Sequence, residues 1–174
     1  MLEKYNKYKL LRIFLFNPTE DFRLRELSRI SQISPASVMI YLKEFERNKL
    51  IKSFKKRKIP FYKAEIDNET FREYKKISIL FELNNSGLID FLWDKISPKA
   101  IILYGSYVKG ESIDESDIDI FIMGKEKNLD LNEFEKKLEK KIHIMFSDNI
   151  KKISIELKNN LVNGIVLKGY FKLF

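Results

Sequence analysis

Ala100-Ile101-Ile102-Leu103-Tyr104 leads straight into Gly105-Ser106, and after ten further residues comes Asp117-Ile118-Asp119, continued by Ile120-Phe121-Ile122-Met123. The first five residues are a short apolar run between Pro98 and Gly105, which predicts a buried strand. Ile120 to Met123 predict a second one. On a strand, Asp117 and Asp119 at i and i+2 share a face. Two like charges among isoleucines and a phenylalanine are costly unless a cation lies between them. A divalent metal with oxygen ligands meets that need, and Mg²⁺ is the natural candidate. Gly105 lets backbone come close to a phosphate. Ser106, at a strand-to-helix turn, offers hydroxyl and N–H donors.

Gly-Ser, ten residues and Asp-x-Asp together are similar to the signature of the DNA polymerase β-like nucleotidyltransferase superfamily. The fuller string Gly105-Ser106-Tyr107-Val108-Lys109-Gly110-Glu111 with Ser116-Asp117-Ile118-Asp119 resembles its minimal, prokaryotic members, among them antitoxins of HEPN toxin pairs. The resemblance spans about residues 96–174, including Asn163-Gly164-Ile165-Val166-Leu167. It implies transfer of a nucleoside monophosphate from an NTP, ATP above all, to a hydroxyl, with release of pyrophosphate. It further implies that Gly105 and Ser106 hold the triphosphate and that Lys109, where relatives often carry arginine, pairs with phosphate. Asp117 and Asp119 would hold Mg²⁺ or Mn²⁺, whose charge offsets that on the transferring phosphoryl.

The sequence departs from the pattern once. The family usually carries a third carboxylate on a later strand. Leu131 to Lys140 predict a helix and Lys141-Ile142-His143-Ile144-Met145-Phe146 the strand after it, so His143 occupies that place. A neutral imidazole can accept a proton or ligate a metal, although Mg²⁺ prefers oxygen. His143 is therefore either a third catalytic residue beside Asp117 and Asp119, or the mark of a domain that only binds nucleotide. Asp148 lies beyond the strand and is a poor substitute.

The first third of the chain has a different character. Residues 1–65 hold 16 Lys and Arg against 7 Asp and Glu, a balance of +9, while residues 66–174 hold 17 against 18, a balance of −1; together they give the +8 of the whole chain. Residues 4–16 have helical spacing and stop at Asn17-Pro18. Phe22-Arg23-Leu24 predict a short strand. Leu24, Leu27 and Ile30 fit a second helix, and Gln32-Ile33-Ser34 a turn. Ser34 as cap and Pro35 at the first helical position open a third helix, with Val38, Leu42 and Phe45 on one face, closing near Asn48. Leu50-Ile51 and Pro60-Phe61-Tyr62 flank Lys55-Lys56-Arg57-Lys58, a hairpin with a basic tip.

Helix, helix, turn, helix and basic hairpin resemble the winged helix-turn-helix family over about residues 5–65. Such domains place the third helix in the major groove and the hairpin, or wing, on phosphates. The implied DNA contacts are Ser37, Tyr41 and Lys43 on the third helix and Lys55, Lys56, Arg57 and Lys58 on the wing. The exposed positions of that helix include Met39 and Ile40, and few groups there can pair bidentately with bases. The alternative is a dimerisation or protein-docking module, giving a homodimer or a contact to a partner protein such as a toxin. In residues 66–97, Phe71, Tyr74, Ile77, Leu80 and Phe81 have helical spacing. Asn84-Asn85-Ser86-Gly87 break the run before a further helix at Leu88, Phe91 and Leu92.

The expected architecture is α+β, with a winged helix-turn-helix at 1–65, a helical connector at 66–97 and a small mixed-sheet nucleotidyltransferase fold at 98–174. A chain 44% hydrophobic and 33% charged supports folded domains. With no cysteine and one histidine, disulfides, thiolate sites and multi-histidine zinc are excluded. There is no run of about eighteen apolar residues for a membrane span. Met1-Leu2-Glu3-Lys4-Tyr5 lack the apolar stretch of a signal peptide, so a cytoplasmic protein is expected.

Overall fold

A computed structural model describes residues 5–172; the four residues before Tyr5 and the last two of the C-terminal segment lie outside the described residues. The chain forms two compact units, residues 1–78 and 79–174, divided within one long helix. The segment 66–97 is thus shared between them.

The first unit begins with α1 (Asn6–Phe16), α2 (Leu24–Ser31) and α3 (Pro35–Arg47). Asn17 ends α1: its backbone N–H and its side-chain amide both donate to Ile13 O, and Pro18 prevents continuation. The expected strand at Phe22-Arg23-Leu24 contracts to one bridge, Phe22 to Tyr62. Arg23 N already donates to the Glu26 carboxylate at 3.2 Å, and that local bond starts α2 at Leu24. Ser34 opens α3 by accepting from Ser37 N, with Pro35 in the first turn. Val38, Leu42 and Phe45 face inward and are fully buried with Leu10, Phe14 and Leu27.

A hairpin follows, β1 (Ile51–Lys56) and β2 (Ile59–Ala64), with Lys56 opposite Ile59. Its turn is only Arg57-Lys58, and both residues have positive φ, 50° and 67°. This is the primed turn whose twist matches the strands, and it ordinarily recruits Asn and Gly. Next comes α4 (Glu69–Ser86), which runs through Asn84-Asn85-Ser86 and breaks only at Gly87, where φ is +80°.

The second unit contains α5 (Leu88–Ile96), β3 (Ala100–Tyr104), α6 (Ser106–Lys109), β4 (Ile118–Met123), α7 (Asn132–Leu138) and β5 (Ile142–Ser147). A 3₁₀ turn at Ile150–Lys152, α8 (Ile155–Val162) and β6 (Ile165–Gly169) complete it. The sheet is mixed, in the order β5-β4-β3-β6. β3 is antiparallel to both its neighbours, and β4 is parallel to β5. Residues on both faces of β3 and β4 are buried; β3 is a continuous apolar run, and β4 is one apart from the partly exposed Asp119. One face holds Ala100, Ile102, Tyr104, Phe121 and Met123 under Ile153 and Leu161.

Candidate nucleotide site

The ladder sets three residues in one row: Tyr104 on β3 opposite Asp119 on β4, and Asp119 opposite His143 on β5. Paired residues in adjacent strands share a face, so the row continues the face that carries Phe121 and Met123. Asp119 Oδ1 lies 3.2 Å from His143 Nδ1. On its other side the carboxylate meets Gly105, and a Cβ placed on Gly105 would collide with Asp119 Oδ2. Gly105 has φ +80° and ψ −150°, a backbone region open essentially to glycine alone. Two independent constraints, conformation and contact, therefore require glycine here. The chain then turns at once into α6, which places Ser106 beside the row and ends at the exposed Lys109.

Asp117 lies one residue before β4 and is exposed, whereas the Asp119 side chain is 28% exposed and that of His143 is 55% exposed. The loop that carries Asp117 is tied from below. Tyr107 is buried, and its hydroxyl donates to Ser116 O at 3.4 Å. Burial, then the charges of Asp117 and Asp114, push the Tyr107 phenol well above its ordinary range. Tyr104 is raised in the same direction by burial and then by Asp119. Ser116 Oγ accepts from Ile113 N at 2.8 Å, closing the turn before the aspartates.

A second support comes from α7. Glu135 accepts from Ile142 N at 3.0 Å and from Lys141 Nζ at 2.9 Å, fixing the entry into the strand that carries His143. These bonds hold the Glu135 carboxyl below its usual range. Lys141 is raised, first by the Glu135 hydrogen bond and charge and then by Asp117. Sequence reading missed Tyr107 and Glu135. Their only signal was position, a tyrosine just after Gly-Ser and an acidic residue seven residues before the strand.

The all-oxygen donor set of Asp117 and Asp119 suits a hard cation such as Mg²⁺; an imidazole nitrogen suits it poorly. Among the described residues no three His, Asp or Glu side chains are gathered closely enough to hold a metal. Asp148 does not supply the third carboxylate. It lies past the far end of β5, about 16 Å along the strand from His143, and pairs with Lys152 at 3.5 Å. From the Asp119–His143 row the same sheet face continues into a groove of about 630 Å³. Phe121 and Met145 form its near end, Ser147, Asp148 and Lys152 its far end.

The first unit places the other candidates. Ser37 is half-buried, and its hydroxyl is within 3.0 Å of Ser34 Oγ, so it serves the start of α3. Tyr41 is half-buried and Lys43 is exposed. On the hairpin, Lys56 pairs with Asp21 at 2.6 Å and lies over the rings of Phe54 and Phe61. Lys55, Arg57 and Lys58 have no ion-pair partner among the described residues and are exposed. Sequence reading also passed over the exposed arginines of α2, Arg25 and Arg29, one turn apart. Among the described residues no helix is long and apolar enough to cross a membrane.

No curated protein matches the chain. Residues 86–170 match the family model described as Polymerase beta, Nucleotidyltransferase. That segment contains every element from α5 to β6 and both halves of the Gly-Ser and Asp-x-Asp pattern, and the match supports a nucleotidyltransferase-superfamily domain in this part of the chain.

Proposed function

We propose that the chain is a nucleotidyltransferase dependent on Mg²⁺ or Mn²⁺, with ATP as donor, that also binds DNA through a winged helix in its first unit. The observation that carries the transferase reading is the Asp119 carboxylate lodged between Gly105 and His143. In this reading Ser106 donates to the triphosphate and Lys109 pairs with it. Asp117 and Asp119 hold a divalent cation, whose charge, when bound, offsets that developing on the phosphoryl and leaving oxygens. His143 stands in for the third carboxylate. With Nδ1–H donating to Asp119, Nε2 is left to accept the proton of the attacking hydroxyl. The hydroxyl oxygen bonds to the α-phosphorus as the bond to pyrophosphate breaks. The acceptor is a protein or nucleic-acid hydroxyl, a partner toxin among the candidates.

Calorimetry of ATP binding with Mg²⁺ tests this, comparing the native chain with the Asp117→Asn, Asp119→Asn double variant. Micromolar binding that needs both Mg²⁺ and the aspartates supports the reading, and α-labelled ATP then identifies the acceptor. Absence of binding by the folded native chain overturns it. A second reading has one observation in its favour, the imidazole where a carboxylate is expected: a DNA-binding regulator or antitoxin whose transferase-like domain does no transfer.

The DNA reading rests on the element order α1-α2-α3-β1-β2 and on the +9 balance of residues 1–65, 16 cations less 7 anions. The start of α3 enters the major groove, and Lys55, Arg57 and Lys58 reach phosphates beside it.

A further inference from the structure

The solvent face of α3 is a single stripe, Ala36, Met39, Ile40, Lys43 and Arg47, all exposed. The spacing of three and four residues stacks them along one side of the helix. Met39 is 46% exposed and Ile40 64%. The stripe is thus apolar over the first two turns and cationic over the last. Ala36 and Ile40 carry no side-chain atom that can hydrogen-bond to a base edge, and the Met39 thioether is only a weak acceptor. Yet they occupy the helix start, the part that meets bases when such a helix lies in a major groove.

An apolar protein partner pressed on this stripe would have to bury Lys43 and Arg47 with it. A duplex accommodates both halves: phosphates for the two cations and, on the groove floor, the thymine 5-methyl, the apolar group of the major-groove code. Resting on the DNA-binding reading above, we infer that Met39 and Ile40 read thymine methyl groups, so that base preference in this protein is for A·T pairs sensed by apolar contact. Lys43 and Arg47 set the register of the helix through phosphates and contribute little base choice.

The test uses the full chain and a random-sequence duplex pool made with thymine. The tightest-bound duplexes are recovered, then resynthesised with uracil in place of thymine, a change that removes only the 5-methyl. The expected result is a loss of about fourfold in affinity for each contacted methyl, the transfer value of one buried carbon group, at unchanged salt dependence. The Met39→Ser, Ile40→Ser variant, which carries neither a methyl nor an amide at these positions, should bind the thymine duplexes as weakly as the native chain binds the uracil ones. It should itself be indifferent to the exchange.

Equal affinity of the native chain for thymine and uracil duplexes overturns the inference while leaving DNA binding in place. No duplex binding at low salt removes the DNA reading itself. A native dimer that this variant converts to monomer, with uracil indifference, assigns the stripe to a second copy of the chain and also overturns the inference.

Discussion

Asp119 and His143 are partners in the parallel β4–β5 ladder, with Nδ1 3.2 Å from Oδ1, so the backbone register itself brings imidazole to carboxylate. His143→Ala is accordingly expected to leave the fold intact and to slow nucleotidyl transfer by about 10²–10⁴, the usual range for a lost general base. His143→Asp, which restores a carboxylate, is expected to tighten Mg²⁺-dependent ATP binding about tenfold by adding an oxygen donor. Transfer assays and calorimetry on the three proteins check both outcomes; unchanged transfer in His143→Ala gives the residue a structural role only.

Gly105→Ala is expected to be severe. The backbone there costs a non-glycine residue about 1–3 kcal/mol, and the new Cβ would push against Asp119 Oδ2. Melting of the second unit should fall by roughly 10 °C, and binding of ATP with Mg²⁺ should disappear even below the new midpoint. A variant that melts lower but binds normally would detach Gly105 from the nucleotide.

Stability in alkali should depend on Tyr107. Its phenol is buried beside Asp117 and Asp114 and is raised above its ordinary value of 10.0. A group raised on folding contributes fully below its unfolded value, and the contribution is lost as pH climbs through the folded one. The melting temperature should therefore hold up to about pH 10 and fall beyond it. Tyr107→Phe should flatten that fall, leaving a smaller residual slope from Tyr104, raised in the same direction. A pH series of thermal melts on the two proteins decides it.

The hairpin turn offers a trade between stability and binding. Arg57 and Lys58 both occupy left-handed backbone, which costs an ordinary residue about 1–2 kcal/mol. Arg57→Asn with Lys58→Gly supplies the residues this turn prefers. The first unit should melt higher, while duplex affinity falls and its logarithmic salt slope becomes shallower by about 2, one unit for each lost phosphate contact. Higher stability with unchanged affinity and slope would remove these two cations from the DNA surface.

Much of this was legible in the sequence because local chemistry and global packing agreed. Ser34 caps α3 and Pro35 fits its first turn, and β3 and β4 read as buried because Ala100–Tyr104 and Ile120–Met123 are uninterrupted apolar runs. Asn84-Asn85-Ser86 misled because two of their side chains bond back into the helix, Asn84 donating to Leu80 O and Ser86 to Leu83 O, and the helix runs on to Gly87. Phe22-Arg23-Leu24 misled because one hydrogen bond from Arg23 to Glu26 outweighed strand propensity. In the candidate site, Gly105, Asp117, Asp119 and His143 were visible as a spaced pattern. Tyr107 and Glu135 were not, since their roles exist only once α6 and α7 are set against the loops they tie down.

The mixed sheet also grades its contacts by how much chain each must enclose. β3 and β4 pair antiparallel across a short connection, but β5 joins β4 in parallel only after residues 124–141, α7 included, have crossed over. Non-local parallel pairing is the slow kind, because loop closure must precede the contacts that reward it. Asp119 meets Gly105 across 14 residues and His143 across 24, so the imidazole–carboxylate pair is the least local contact of the row and the one that depends on the crossover through α7.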